Sequence, residues 1–281
     1  MTMEQRVKRS ALRVAGWLAG PGPDRPARIL GYHSVGDGQS VLSIPTEQFR
    51  WQLAWLVDYG HQFLTLRAWW ELARQGRTPS SPSVVLTFDD GYRGVLRHAA
   101  PLLASYGIRA TVFVVTDHVG GTNTYDRLRH APQLPLLSWP EIRELCQLGW
   151  DVQSHGRRHM PMAGLRDDLL TEETMGSKLL LEQALGTGVD FFAYPYGVCD
   201  ARAVEAVARA GYAGAVTCEG GVLPPWAEQN RYRLPRIMGD QLSRVSDFAL
   251  RFNPAYRRLR RLRAWVQDRR GESNGNGAKK E

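Results

Sequence analysis

The chain has 281 residues, 43% of them hydrophobic and 23% charged, a balance that excludes disordered and collagen-like classes and suits one α/β barrel-sized domain with tails. Its formal net charge of +8 gathers at the ends, around Arg6, Lys8, Arg9 and Arg13 and again from Arg257 to Arg270. A balanced centre with basic ends leaves two readings open, solvated tails or tails held near an anionic surface.

In chain order, residues 1–26 read as a basic amphipathic helix followed by a Pro/Gly-rich linker. The run Ala11 to Gly20 is similar to a signal-peptide core, but Arg13 interrupts it and no cleavage motif follows. No segment approaches the roughly 18 apolar residues of a membrane span. A cytoplasmic protein, or one peripheral to the inner face of a membrane, is therefore expected, with secretion left open. The catalytic domain is placed at residues 27–245. It opens with a strand over 27–33, then a helix over 46–59 capped by Thr46, a β-like step at 62–66, and a helix over 67–75. The run Ser83–Phe88 is short, β-branched and bounded by Pro82 and Gly91, as in a buried parallel strand.

Beyond it the pattern predicts a helix to Tyr106, a strand over 110–115, a long loop over 116–137 and a helix over 139–148. Strand 151–154, helix 171–185, strand 191–194, helix 201–210 and strand 213–217 follow. Repeated strand-then-helix units imply a parallel sheet with helices outside, and this number of units favours a barrel, whose chemistry sits at the C-terminal ends of the strands. A basic helix is expected over 246–270 and a disordered tail over 271–281. Cys146, Cys199 and Cys218 show no CxxC spacing, so buried free thiols are expected rather than a zinc ribbon or a disulfide framework.

Thr87-Phe-Asp-Asp-Gly-Tyr92 sets two adjacent carboxylates at the end of a buried strand, where they need a cationic partner. Successive side chains on a strand diverge, so Asp89 and Asp90 need not share a task. His155-Gly-Arg-Arg-His159 offers two imidazoles at i and i+4, which on a helical turn face one side and can share a metal. With Asp90 they make a His, His, Asp set with an open position, the pattern of a catalytic site. His33 is open to two readings, a satisfied core histidine or a proton-transfer group. His61, His98, His118 and His130 read as surface residues. Phe191-Phe-Ala-Tyr-Pro-Tyr-Gly197 is either a plain strand and turn, or a backbone N–H at Tyr196 aimed at an oxyanion, with Tyr194 and Tyr196 as aromatic faces for a sugar.

The order Thr-Phe-Asp-Asp-Gly, His-x-x-x-His, Tyr-Pro-Tyr-Gly resembles the NodB-type polysaccharide deacetylases, which remove acetyl groups from N-acetylglucosamine polymers. The resemblance runs from about Ile29 to Arg236 and implies an irregular (β/α) barrel of about seven strands. It also implies that Asp89 is the base that activates water, that Asp90, His155 and His159 hold a divalent metal, and that the Tyr196 backbone stabilises the tetrahedral intermediate. Zinc suits this donor set, with cobalt, nickel or iron as alternatives.

The chain departs from the family pattern in three places. Gly156 stands where a loop-bracing Ser or Thr is usual, Ala193 stands where an Arg pairs with the base, and Leu234-Pro-Arg236 stands where a late Leu-x-His supplies the acid. The subgroup similar to the biofilm poly-N-acetylglucosamine deacetylases begins with a Tyr-His strand in permuted order. On that analogy His33 is the general acid, and Arg236 reaches Asp89 or the substrate. The expected partner is an N-acetylated glycan or a lipid-linked sugar, with possible membrane-surface contact through the basic ends. No nucleic acid is expected, because an acidic pair repels phosphate. A deformylase acting on a lipid-linked sugar and a non-catalytic sugar-binding relative are the rival readings. The loop over 120–126 is long enough to shape substrate choice.

Overall fold

The computed structural model describes residues 27–36, 41–77, 79, 81–129, 131–221, 223, 230–240 and 242–252. The leading helix and linker, the tail over 271–281, His130 and the basic helix beyond residue 252 lie outside the described residues. The chain divides into two compact units, Arg25–Leu242 and a second built from both ends. Of the second, the described part is one helix, Val245–Phe252, in which Phe248 and Phe252 lie 5.1 Å apart. Among the described residues no helix is long and apolar enough to cross a membrane.

Unit 25–242 is built on a parallel sheet. Strand β1 is Arg28–Tyr32, and a short pair, β2 (Ser34–Val35) and β3 (Ser43–Ile44), follows it. Next come helix α1 (Thr46–Asp58), β4 (Gln62–Leu64), α2 (Leu66–Arg74) and β5 (Ser83–Phe88). The later strands are β6 (Thr111–Val114), β7 (Asp151–Ser154), β8 (Phe191–Ala193), β9 (Gly214–Val216) and β10 (Arg236–Met238). Seven of these run in the order β10-β1-β5-β6-β7-β8-β9, all parallel, and β4 pairs with the first half of β5. The segment before β10 bonds to β9 through Leu234 and Ala215, so the ring nearly closes as a barrel of seven strands.

All six residues of β5 are buried, as its unbroken apolar run requires of a strand covered on both faces. One cluster draws Ile29, Val85, Phe113, Phe191, Ala193 and Val216 from five barrel strands, β1, β5, β6, β8 and β9, with Leu66 and Trp69 of α2 joining them. Each of the Val, Leu, Ile and Phe side chains contributes about 1.5–3 kcal/mol on burial. Helix α2 starts at Thr65, whose side chain caps Ala68 N–H at 3.1 Å. Its first turn is bonded to the starts of three strands: Leu66 N–H to Thr111, and Arg67 to both Asp151 and Asp190. That turn therefore closes the N-terminal mouth of the barrel and leaves the C-terminal mouth for chemistry.

The structure alters four expectations. Pro45 takes the cap position of α1, and the buried Thr46 hydroxyl has no hydrogen-bond partner among the described residues. Residues 62–64 form a strand that lies off the barrel path, and the seventh barrel strand is β10, which the sequence reading missed. Helix 171–185 starts earlier, at Asp167, and contains a wide π-turn at Glu172–Gly176. The loop over 116–137 carries two short 3₁₀ turns.

Candidate active site

The residues with notable chemistry follow strand ends. His33 follows β1, Asp89 and Asp90 follow β5, His155 follows β7, and Asp240 follows β10. His33, Asp89, Asp90, His155, His159 and Tyr196 line one open cavity of about 240 Å³.

Donor atoms of Asp90, His155 and His159 all lie within 4.8 Å of one another, and all three residues are buried. The Asp89 N–H donates to Tyr32 O at 2.8 Å, which ends the strand and turns Asp90 into the left-handed region at φ 69°. His155 Nδ1 donates to Ala193 O at 2.8 Å, which leaves Nε2 as a lone pair. Burial lowers its pKa to about 4 despite the nearby carboxylates, so the ring is neutral. Nε2 of His155 and of His159 approach Asp90 Oδ1 at 3.4 and 3.2 Å. That oxygen is buried and has no hydrogen-bond donor among the described residues. Acceptor atoms facing one another in a dry site repel unless a cation lies between them, so the residues fit a divalent metal. The His159 ring is flanked by Tyr125 at 4.3 Å and Tyr196 at 4.4 Å, which screen it from water.

The histidine pair does not lie on a helical turn, as its spacing predicted. Residues 155–159 form an irregular loop, and His159 reaches the cradle through a left-handed backbone at φ 59°. Among the described residues, Asp90, His159 and Tyr196 are the three non-glycine positions with positive φ, and all three line the cavity. Strain of this kind concentrates where function over-determines the backbone.

Asp89 meets Arg236 in a two-pronged ion pair, with Nη1 to Oδ1 at 2.6 Å and Nη2 to Oδ2 at 2.7 Å. Arg236 is fully buried, and its Nε donates to Thr217 O at 3.0 Å. Burial alone would raise the Asp89 pKa, but the guanidinium charge prevails and lowers it. Across the cavity His33 Nδ1 pairs with Asp240 Oδ2 at 2.6 Å. Burial disfavours the imidazolium, yet the Asp240 hydrogen bond and charge, helped by Asp90 and Asp89, raise its pKa to about 9. Its side chain remains 25% exposed, so it can reach substrate from a charged state.

Two residues read as substrate contacts stand elsewhere. Arg236 is enclosed behind Asp89, and Tyr194 is buried with its hydroxyl donating to Tyr232 O at 3.0 Å. Neither presents a face to the cavity, whereas Tyr196 does, its hydroxyl donating to Asp126 at 3.1 Å. The cysteines are free as expected but not buried, since Cys218 is exposed at the cavity wall and the other two are half-buried. His98 is exposed, but His61 and His118 are half-buried, and His118 packs edge-on against Tyr125 at 4.9 Å. The sequence reading missed Asp240, Tyr125, Asp126 and Glu173. The loop over 120–126, open to reading as a substrate-shaping segment or a plain insertion, sets Tyr125 against His159 and Asp126 at the cavity wall.

A seven-stranded barrel with this carboxylate–imidazole cradle at its C-terminal mouth defines a deacetylase-type hydrolase. The polysaccharide deacetylase profile matches residues 76–215. YxkH of Bacillus subtilis is 30% identical over 216 residues, 76% of this chain and 72% of that protein. A poly-β-1,6-N-acetyl-D-glucosamine N-deacetylase of Staphylococcus epidermidis is 29% identical over 205 residues, 70% of this chain and 68% of that protein. Among solved structures, IcaB from Ammonifex degensii superposes with a TM-score of 0.69 at 26% identity, covering 80% of this chain and 97% of its own. The Streptococcus pyogenes deacetylase PplD, in complex with acetate, superposes with a TM-score of 0.65 at 25% identity, covering 76% and 92%. The chain belongs to the polysaccharide deacetylase family, metal-dependent enzymes that hydrolyse N-acetyl amide bonds of glycans.

Proposed function

We propose that this enzyme removes N-acetyl groups from a β-1,6-linked N-acetylglucosamine glycan or its precursor, with zinc held by Asp90, His155 and His159. The observation that carries this reading is the convergence of the acceptor cradle, an arginine-paired carboxylate and an aspartate-paired histidine on a single cavity. The similarity to the Staphylococcus epidermidis enzyme and to IcaB supports the choice of glycan.

Zinc in the cradle would polarise the acetamide carbonyl and make a nearby water more acidic. Asp89, held ionised by Arg236, takes the proton as the water oxygen attacks the acetyl carbon. The Tyr196 backbone N–H is assigned to the developing oxyanion, in keeping with the left-handed turn that sets Tyr196 at the cavity wall. As the C–N bond breaks, His33 donates its proton to the departing nitrogen, giving acetate and a free amine. Asp240 holds the His33 proton until that step. Its hydrogen bond to Nδ1 leaves Nε2 as the donating atom.

Amine release from β-1,6-linked N-acetylglucosamine oligomers, with and without chelator, tests the reading. Lipid-linked N-acetyl sugars form the parallel arm. Chelator-sensitive release from the oligomers, restored by zinc, is the expected result. Release that ignores both chelator and His155→Ala would sink the metal assignment, and release from the lipid-linked sugars alone would move the substrate.

A further inference from the structure

The loop that carries both ligand histidines has no helix to hold it. Its backbone donors are met by side chains instead. Arg157 N–H donates to Glu173 Oε2 at 2.8 Å, and Arg158 N–H donates to both Glu173 oxygens at 3.2 and 3.0 Å. Gly156 N–H reaches Ser154 Oγ at 3.2 Å, and that hydroxyl is bonded to Ser177 at 2.8 Å. Glu173 and Ser177 belong to one bulged helix segment, so a single element grips the loop between His155 and His159.

Glu173 is fully buried and does not line the cavity, an expensive place for a carboxylate. The burial is compensated by two consecutive N–H groups, both on residues that lie between the two ligands. The π-turn at Glu172–Gly176 widens the helix at this point, as such turns do at functional positions. Gly156 completes the fit. Its φ is +81°, and a Cβ there would meet Glu173 Oε2 at 2.7 Å. Carboxylate and glycine therefore occupy one shared volume, and a larger residue at 156 would push the brace away.

We infer that Glu173 is a positioning residue that presets the His155–His159 loop for the metal, with Gly156 as its steric counterpart. It acts through the backbone, fixing the directions from which the two imidazoles approach Asp90. The inference rests on the metal reading above, and the test separates the two.

The full chain is stripped of metal and titrated with zinc, then with cobalt, whose visible absorption reports ligand geometry. Glu173→Ala is expected to weaken zinc binding by about 10–100-fold, the range for groups that orient metal ligands, and to change the cobalt spectrum. Glu173→Gln keeps one accepting oxygen but turns an amide toward N–H donors, so its zinc affinity falls between the two. Gly156→Ala harms the wild-type background more than the Glu173→Ala background, a non-additive pair. Wild-type zinc affinity and an unchanged cobalt spectrum in both Glu173 variants would overturn the inference alone. If Glu173→Ala does not fold, the isosteric Glu173→Gln decides by the same two readouts. Failure of the wild-type chain to bind zinc would overturn the metal reading and this inference together.

Discussion

The two mouths of the barrel treat charge in opposite ways. At the N-terminal mouth Arg67 pairs with Asp151 at 3.2 Å and with Asp190, and Gln153 adds a bond to Asp151 at 2.7 Å. The Arg67 donors there meet acceptors, and among the described residues of this mouth the non-glycine positions keep ordinary backbone. At the C-terminal mouth Asp90 Oδ1 faces two imidazoles without a donor, and three residues adopt positive φ. One end uses its polar groups to hold the ring together, and the other leaves Asp90 Oδ1 open to a ligand while counter-ions pair with Asp89 and His33.

The sharpest way to break this comparison is His155→Ala. Zinc affinity should fall by more than about 100-fold and amine release should vanish, since a ligand is worth more than an orienting group. Retained zinc binding would erase the distinction between the two mouths. Next comes Asp89→Asn, which should lower kcat by about 10²–10⁴-fold while zinc affinity stays put. A parallel loss of metal would mean that the base and the cradle are one unit.

Asp240→Asn should be gentler and visible mainly in the pH profile. His33 must be protonated to act, so the rate is lost as pH rises through its pKa, which Asp240 helps to hold at about 9. A bound cation would lower that value, making about 9 the upper limit of the basic limb. Without the Asp240 charge the His33 pKa falls, and the limb moves toward neutrality. The rate at pH 6 should be nearly kept, and at pH 8 it should fall by roughly tenfold. An unmoved limb would remove His33 from the proton path. Arg67→Ala, at the other mouth, should leave kcat and zinc affinity unchanged and reduce unfolding stability by about 1–3 kcal/mol. The partial exposure of Arg67 holds that cost to the lower end, and a change in kcat would show that the two mouths are coupled.

The barrel was legible where strands carry continuous apolar runs, as in Val84, Val85 and Leu86, because a strand covered on both faces needs no polar alternation. Strand β10 was not legible, for Arg236-Ile-Met238 is short, follows Pro235 and begins with a charge. The strand that it pairs with, β1, lies at the other end of the chain, so nothing local marks it. The three acceptor residues of the cradle were legible because each stands beside its strand in a compact motif, although the i, i+4 spacing was read as a helical turn. Arg236 meets Asp89, one of the two partners read for it, while Tyr194 faces away from the cavity, since adjacency to a motif does not reveal which way a side chain faces. Asp240 was invisible, because its partner is 207 residues away. Glu173 carried no motif, for its partners are the backbone N–H groups of residues 157 and 158, some fifteen positions upstream.

The strand order has a consequence for assembly. Asp90, His155 and His159 come from the contiguous stretch β5 to β7, which can pair as it emerges. The Asp89–Arg236 bridge spans 147 residues and the His33–Asp240 bridge 207, and both depend on β1 lying between β5 and β10. Loop closure over such distances comes late in folding. The metal-ligand candidates therefore share one stretch of chain, whereas both ion pairs wait on β10 meeting β1.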